Sequence, residues 1–166
     1  MKITKELLKE KGACAAGYRD FLKEYPVDKY PDGVEYQELL DCCAEKDFSY
    51  GSWLLGAFGK TDEVRKIDGD LIVEKGIIFA GQLEVEGCIK AGEGIETGYG
   101  IEAGGGIEAG NGIKAGYGIK AGDEFGIYAG LRFRITNKTQ RKIIAKNRPE
   151  NIMCGEFEEK KDDAVR

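Results

Sequence analysis

The stretch that decides the fold runs from Ile95 to Gly118 and reads IETGYG IEAGGG IEAGNG IKAGYG. An isoleucine opens each group of six, a charged residue follows it, and a small residue comes third. Alternation of buried and exposed positions over three residues is typical of a short strand with one buried face. The glycines that follow supply a sharp corner, because glycine reaches backbone conformations that other residues avoid. A short strand and a corner every six residues predict a β-solenoid.

Outward from this stretch, an aliphatic residue recurs at every sixth position from Leu71 to Ile119. Three strands per coil place residues eighteen apart above one another, and this register brings opposite charges together. The predicted neighbours are Lys90 with Glu108, Glu96 with Lys114, Glu102 with Lys120 and Tyr99 with Tyr117, against one discordant pair, Glu84 with Glu102. We therefore predict a three-sided prism of about three coils, at 71–88, 89–106 and 107–124, with a two-residue slip in the pattern after Glu124.

The segments on either side of the repeat lack the hexad period and predict other kinds of structure. The first sixty residues read as short helices, with Thr4 as an N-cap and Gly12 as a helix stop. The expected divisions are a helical domain at 1–60, a linker at 61–70 and the solenoid at 71–130. A C-terminal β cap with a basic patch follows at 131–158, and a charged tail at 159–166. The predicted fold class is α+β, a short three-sided β-solenoid capped by a small helical bundle and a β segment.

Charge is segregated along the chain, whose net charge is −5. The solenoid repeat is acidic, whereas residues 131–148 hold seven basic side chains and no acidic one: Arg132, Arg134, Lys138, Arg141, Lys142, Lys146 and Arg148. This concentration predicts contact with nucleic-acid phosphates or with an acidic partner surface. The alternatives are a solvated strand pair that balances the acidic prism, or neutralisation by the acidic residues between Glu156 and Asp163.

Several chemistries are excluded by composition. Histidine is absent, which rules out His-dependent triads and His-ligated zinc sites. The five cysteines show no CxxC spacing and indicate a reduced compartment. No spacing selects a carboxylate, tyrosine or cysteine for catalysis, so we expect no enzyme, catalytic residue, metal or cofactor, and an enzyme that uses one of these three groups is the least favoured alternative. Without an apolar run of membrane length or a secretory signal, we expect a cytoplasmic protein of a bacterial cell, with no membrane partner.

Tyr99 and Tyr117 are the aromatic residues of most interest, since both fall at a corner position of the repeat. Two stacked tyrosines on an outer edge predict a contact surface for a partner or for a base. The alternative is that the two rings shield the backbone of the corner.

The Ile-x-Ala-Gly-x-Gly run resembles the hexapeptide-repeat β-solenoids, which include acyltransferases, γ-class carbonic anhydrases and the filament-forming bactofilins. The resemblance covers residues 71–131. Left-handed members usually carry a small residue two positions before the aliphatic one, where this chain has Glu93, Tyr99, Asn111 or Tyr117, so the handedness stays open. The enzymatic members use histidine, which this chain lacks, so the resemblance implies their fold without those activities.

A second resemblance is carried by Gly12–Phe21, Tyr25-Pro26 and Trp53–Leu55 ahead of the glycine-rich hexads. In these features the chain resembles small uncharacterised proteins of phages and mobile elements. Some small phage proteins bind and block host nucleases or CRISPR complexes. We therefore predict a non-catalytic protein-binding module, of the kind a phage encodes to inhibit a host nucleic-acid-processing complex (anti-CRISPR-like or other anti-defence). The expected partner is a host protein or nucleoprotein, with nucleic acid reached through 131–148. The alternative is a self-assembling, bactofilin-like solenoid, and a closed homodimer also stays open.

Overall fold

A computed structural model describes residues 1–131 and 136–161, and three parallel sheets make up its larger part. Face 1 contains the strands Val64–Ile67, Gln82–Val85, Ile101–Ala103 and Ile119–Lys120. Face 2 contains Leu71–Val73, Ile89–Ala91, Ile107–Ala109, Ile127–Ala129 and Ile152–Cys154. Face 3 contains Ile77–Phe79, Ile95–Thr97, Ile113–Ala115, Lys142–Ala145 and Glu156–Glu159. Strands from Val64–Ile67 to Lys142–Ala145 visit the three faces in turn, and the last two described strands add to faces 2 and 3 only, which makes a three-sided β-solenoid of about five coils, here called the prism.

The eighteen-residue register is confirmed through the middle of the prism. The paired residues include Lys90 with Glu108, Glu96 with Lys114, Glu102 with Lys120 and Glu84 with Glu102. The aliphatic position of each hexad points inward, and Ile89, Ile107 and Ile113 are all 0% exposed. Burial of such a side chain contributes about 1.5–3 kcal/mol, so the ladder of isoleucines is the main source of stability in the prism.

The predicted number of three coils is wrong, because the prism begins before the repeat becomes visible in the sequence. The strand Val64–Ile67 pairs in parallel with Gln82–Val85, although it lies in the predicted linker 61–70. Arg65 occupies the inward slot opposite Leu83 in this pairing. An arginine at the position where later coils carry isoleucine or leucine hides the hexad pattern.

The prism also continues past the last regular hexad, through the segment expected to be a separate β cap. Ile127 pairs with Ile107, a separation of twenty residues, and Ile143 pairs with Ile113, a separation of thirty. Extra residues at the corners thus lengthen a coil without disturbing its strands, although they end the sequence period. The expected strand that includes Arg132 and Arg134 falls on residues 132–135, outside the described residues.

An arginine lies over a phenylalanine ring at each end of the prism core. In the first coil, Arg65 Cζ is 4.5 Å from the Phe79 ring centroid, and the guanidinium pairs with Asp41 at 3.9 Å. In the last coil, Arg148 Cζ is 5.6 Å from the Phe157 centroid. A guanidinium covers an aromatic face while its charge stays near water. Each arginine thus covers an aromatic ring in a terminal coil of the prism.

The helical bundle precedes the prism and consists of α1 (Lys5–Glu10), α2 (Ala15–Glu24), α3 (Tyr36–Lys46) and α4 (Phe48–Phe58). The predicted N-cap is confirmed, since the Thr4 hydroxyl accepts a hydrogen bond from the Leu7 N–H at 3.3 Å. The predicted stop is also present, because Gly12 follows α1 with a φ of +77° that favours glycine.

The bundle docks on face 3 of the first coil. Ile78 occupies an outward position of its strand yet is only 1% exposed, because α3 and α4 cover it. Gly51 permits this approach, since a Cβ there would lie 2.3 Å from Ile78 Cδ1. The Gln37 side chain donates to the Ile78 carbonyl at 2.8 Å and accepts from the Ala80 N–H at 3.1 Å. Helix α3 therefore also satisfies the free backbone edge of this first strand.

Candidate functional site

Two stacked tyrosines form the corner between face 3 and face 1. The Tyr99 N–H donates to the Gly81 carbonyl at 3.0 Å, and the Tyr117 N–H donates to the Tyr99 carbonyl at 2.7 Å. These bonds hold the two residues directly above one another, with ring centroids 5.4 Å apart and planes only 12° from parallel. The stacking predicted from the eighteen-residue spacing is confirmed.

Two lysines adjoin this pair, one through its side chain and the other through the backbone ladder. Lys60 Nζ lies 4.4 Å from the Tyr99 ring centroid. On the other side, the Lys146 N–H donates to the Tyr117 carbonyl at 2.8 Å, which makes Lys146 the next residue of the same ladder. We call Lys60, Tyr99, Tyr117 and Lys146 the tyrosine column. Sequence reasoning missed Lys60, because its position over Tyr99 depends on where α4 leaves the helical bundle.

The column leaves little room for a base to stack on Tyr99. Lys60 covers one face of the Tyr99 ring and Tyr117 covers the other, so only the edge of the ring is presented outward. Tyr117 is 49% exposed. Tyr99 therefore offers only the edge of its ring, whereas Tyr117 is the more exposed ring of the pair, and rigid aromatic rings of this kind suit contact with a protein surface.

The other two corners show that the backbone of a corner does not require tyrosine. At the corner between faces 1 and 2, the equivalent position is glycine in Gly87 and Gly105. At the corner between faces 2 and 3, it holds Lys75 and Glu93, which pair with each other at 3.6 Å, and then Asn111. The same slot accepts glycine, charge or an aromatic ring, so a corner of the prism can form without a tyrosine, and shielding of the backbone stays an alternative role for Tyr99 and Tyr117.

The basic residues between 131 and 148 are distributed over several places. Arg141 and Lys142 form ion pairs with Glu156 and Glu158, which lie on the adjoining strand of face 3. Arg148 lies over the Phe157 ring, and Lys146 belongs to the tyrosine column. Lys138 begins an exposed turn, while Arg132 and Arg134 are outside the described residues. The C-terminal strand therefore neutralises part of this segment, as one of the alternatives proposes, and its contact with an acidic ligand stays a prediction.

An apolar cavity of about 520 Å³ lies among the four helices, with Trp53 at its wall. Burial, with a smaller contribution from the neighbouring Cys42, raises the pKa of the Cys43 thiol to about 12. Burial and a hydrogen bond with Cys42 raise the pKa of Tyr25 as well. Because the thiolate is the nucleophilic form of cysteine, this environment holds Cys43 in its unreactive state.

A second cleft of about 320 Å³, with a mixed polar and apolar lining, opens on face 3, between α4 and the turn Lys138–Arg141. Glu96 lies in this cleft and is only 4% exposed. Its carboxylate accepts hydrogen bonds from the Ser52 hydroxyl and from the Lys114 ammonium, both at 2.5 Å. The pairing of Glu96 with Lys114 follows from the register, but its burial does not, since that depends on α4 lying over face 3.

Over residues 1–131 and 136–161, no three of the cysteine, aspartate and glutamate side chains gather as a metal site requires. No helix in that part of the chain is long and apolar enough to cross a membrane. The three parallel sheets and the docked helices define the protein as a β-solenoid with a helical bundle on its side. Comparisons with models of known protein families, with curated proteins and with solved structures find no match.

Proposed function

We propose that this protein is a non-catalytic protein-binding module and that the tyrosine column is its principal contact surface. The observation that carries the proposal is the stacked pair Tyr99 and Tyr117, held at one corner while the equivalent slots of the other corners carry none. Tyrosine is enriched at protein interfaces because it offers a large amphipathic surface with few rotatable bonds. The backbone ladder fixes both rings before binding, which lowers the entropy cost of association.

The expected partner surface is apolar at its centre and acidic at its rim. Lys60 lies against the Tyr99 ring, so a carboxylate of a partner beside it would complement its charge. A host protein or nucleoprotein complex with such a patch remains the partner class, and the phage-encoded inhibitor is the specific form of this hypothesis. The hexad period and the three-faced coils support a relationship to the hexapeptide-repeat β-solenoids.

Self-assembly into open polymers is the less supported alternative. The arginines over Phe79 and Phe157 place charge at both ends of the core, and α3 covers part of the first coil. A closed homodimer through the tyrosine column is compatible with these features, since a two-fold interface leaves both ends free.

The test is affinity capture from a bacterial lysate, with and without nuclease, using matched variants. Tyr99→Ala/Tyr117→Ala removes both rings, and Lys75→Ala/Glu93→Ala removes two side chains from the equivalent slots of another corner. We expect a nuclease-resistant protein partner that the wild type and the corner control retain and the tyrosine variant loses. Equal capture by both variants would exclude the column as the contact surface, and capture that disappears with nuclease would indicate nucleic acid instead. Light scattering of the purified variants checks for a homodimer.

A further inference from the structure

Face 2 of the prism lies away from both the helical bundle and the tyrosine column. Each of its strands presents one outward side chain, and from the first coil to the last these are Ile72, Lys90, Glu108, Tyr128 and Met153. We call these five residues the face 2 row. Strand pairing places the first four on successive rungs, which lie about 4.8 Å apart.

The face 2 row is apolar at both of its ends. Ile72 is 66% exposed at one end, and Met153 is 67% exposed at the other. Tyr128 and Met153 lie side by side, because a Cβ on Gly126 would be 2.8 Å from the Tyr128 ring and 2.4 Å from Met153 Cγ. Single exposed apolar residues are ordinary on a protein surface. Here they stand at both ends of one row, with a charged pair between them, and a partner can match that order.

The order of groups along the row is complementary to itself. A two-fold axis that runs along the strands, midway between the rungs of Lys90 and Glu108, sets the rows of two copies against each other in reverse order. Lys90 of each copy then faces Glu108 of the other, and Ile72 of each copy faces Tyr128 of the other. The four central charges alternate in sign, so each ammonium has carboxylates from both copies beside it, while each apolar end meets an apolar side chain.

The charges of the row also select the direction of the second copy. A two-fold axis parallel to the prism would instead set Lys90 against Lys90 and Glu108 against Glu108. Like charges directly opposite one another are destabilising. Of the two ways to stack face 2 on itself, the one with antiparallel prisms is therefore favoured.

Neither of the other faces offers the same match. Face 1 presents Lys66, Glu84, Glu102 and Lys120 outward. Reverse-order contact over all four rungs would set Glu84 against Glu102 and Lys66 against Lys120, which are like charges. Face 3 is occupied at its first coil, because α3 and α4 cover Ile78.

We propose that two copies of this chain associate through face 2 as a two-fold dimer with antiparallel prisms. The tyrosine column lies at the corner opposite this face, so the dimer leaves both columns uncovered. If the column binds a partner, a clause that rests on the proposed function, the dimer presents that surface twice and gains avidity for a partner with repeated sites. The dimer itself does not depend on that function, and its interface differs from a homodimer through the column.

The experiment is sedimentation equilibrium of the full chain at low salt. The row covers a small area, of the class below about 1,200 Å² that gives weak association, so the concentration series extends to about 1 mM. We expect the mass to rise with concentration from 18.2 kDa toward twice that value. Added salt should weaken the association, because opposite charges meet at its centre.

Charge reversal tests the reverse-order contact. Lys90→Glu sets two carboxylates against each other across the interface, and Glu108→Lys sets two ammonium groups against each other, so each variant alone should associate at least tenfold more weakly. An equimolar mixture of the two variants should associate again, because every central contact between the two chains is then between opposite charges. Glu84→Lys is the matched control, since it disrupts the ion pair with Lys66 on face 1 and should associate as the wild type does.

Two further variants separate this interface from the tyrosine column. Ile72→Glu, at an exposed position, should leave the stability of the dilute monomer unchanged yet weaken association at least tenfold. Tyr99→Ala/Tyr117→Ala should dimerise as the wild type does, whatever its result in the capture experiment.

Four results would each overturn the proposal. The wild type could stay at 18.2 kDa throughout the series, or either charge variant could associate alone as the wild type does. The mixture of the two charge variants could fail to restore association. The face 1 control or the tyrosine variant could lose association as fully as Ile72→Glu does.

Discussion

In the prism the same residue types recur at equivalent positions, whereas in the helical bundle each buried contact is made once. Ile89, Ile107 and Ile113 occupy identical slots and are equally buried. The bundle depends on individual contacts such as Ile78 beneath α3 and α4, or Gln37 on the edge of the first strand. Stability in the prism is therefore shared among similar rungs, while attachment of the bundle rests on a few residues.

The largest expected effect comes from truncating the isoleucine ladder. Ile107→Ala and Ile89→Ala should each lower the free energy of unfolding by about 2–5 kcal/mol, through lost burial and the cavity left behind. Because the two slots are equivalent, the losses should be similar. Urea unfolding measures both, and a loss below about 1 kcal/mol in either variant would contradict a uniformly packed ladder.

A smaller effect is expected from separating the bundle from the prism. Ile78→Glu introduces a charge of the kind that the next two coils carry at this position in Glu96 and Lys114, and should cost about 2–3 kcal/mol because the site is buried. Ile72→Glu is the control, since Ile72 holds the equivalent position on face 2 of the same coil and is 66% exposed.

Hydrogen exchange distinguishes the two regions in these variants. Ile78→Glu should reduce protection in α3 and α4 while the strand Ile95–Thr97 stays protected, and Ile72→Glu should change neither. Equal loss of protection in both regions would show that bundle and prism unfold as one cooperative unit.

The bundle should also respond to alkaline pH through Cys43. Its folded pKa of about 12 lies above the ordinary thiol value of 9.0, so folding favours the protonated form. The resulting stability is fully present below pH 9 and is lost as the pH rises from about 9 toward 12. The urea midpoint of the wild type should decrease as the pH is raised from 8 to 10, and the midpoint of Cys43→Ala should decrease less. Tyr25 and Tyr36, whose pKa values are also raised, contribute in the same direction at higher pH.

The smallest effect belongs to the charge ladder on face 2. Lys90 and Glu108 lie 3.2 Å apart and are half exposed, so their interaction should contribute about 0.2–1 kcal/mol. Glu108→Lys should destabilise the prism slightly, and Lys90→Glu in the same chain should restore part of the loss. Strictly additive effects in this double-mutant cycle would show that the two charges do not interact.

The hexad pattern predicts the fold of the prism well where the repeat is regular. Its period and the opposite charges of Lys90 and Glu108 together predict the register, because each strand of the regular repeat pairs with the strand eighteen residues further on. The pattern fails at Val64–Ile67 and after Gly130, where an inward Arg65 and long corner insertions obscure the period. Neither change disturbs strand pairing, so the coils continue although the sequence signal ends.

The candidate sites are predictable only in part. The stack of Tyr99 on Tyr117 follows from their spacing, since both lie on the ladder. Lys60 above Tyr99 and α4 above Glu96 arise from how the helices meet the prism, and no periodicity encodes that contact. The basic segment was identified by composition, but its pairing with Glu156 and Glu158 depends on a parallel strand late in the chain.

The arginines over Phe79 and Phe157 lie in the first and last coils of the prism, and the number of hexads between them sets its length. The interior is consequently modular. Eighteen residues inserted after Gly100 would add one complete coil and lengthen the prism by about 4.8 Å, with both arginines unchanged. Insertion of one or two hexads that form strands of their own would instead move every later strand onto another face and place Tyr99 and Tyr117 at different corners. Inserted strands therefore leave every later strand on its own face only when they add a complete coil.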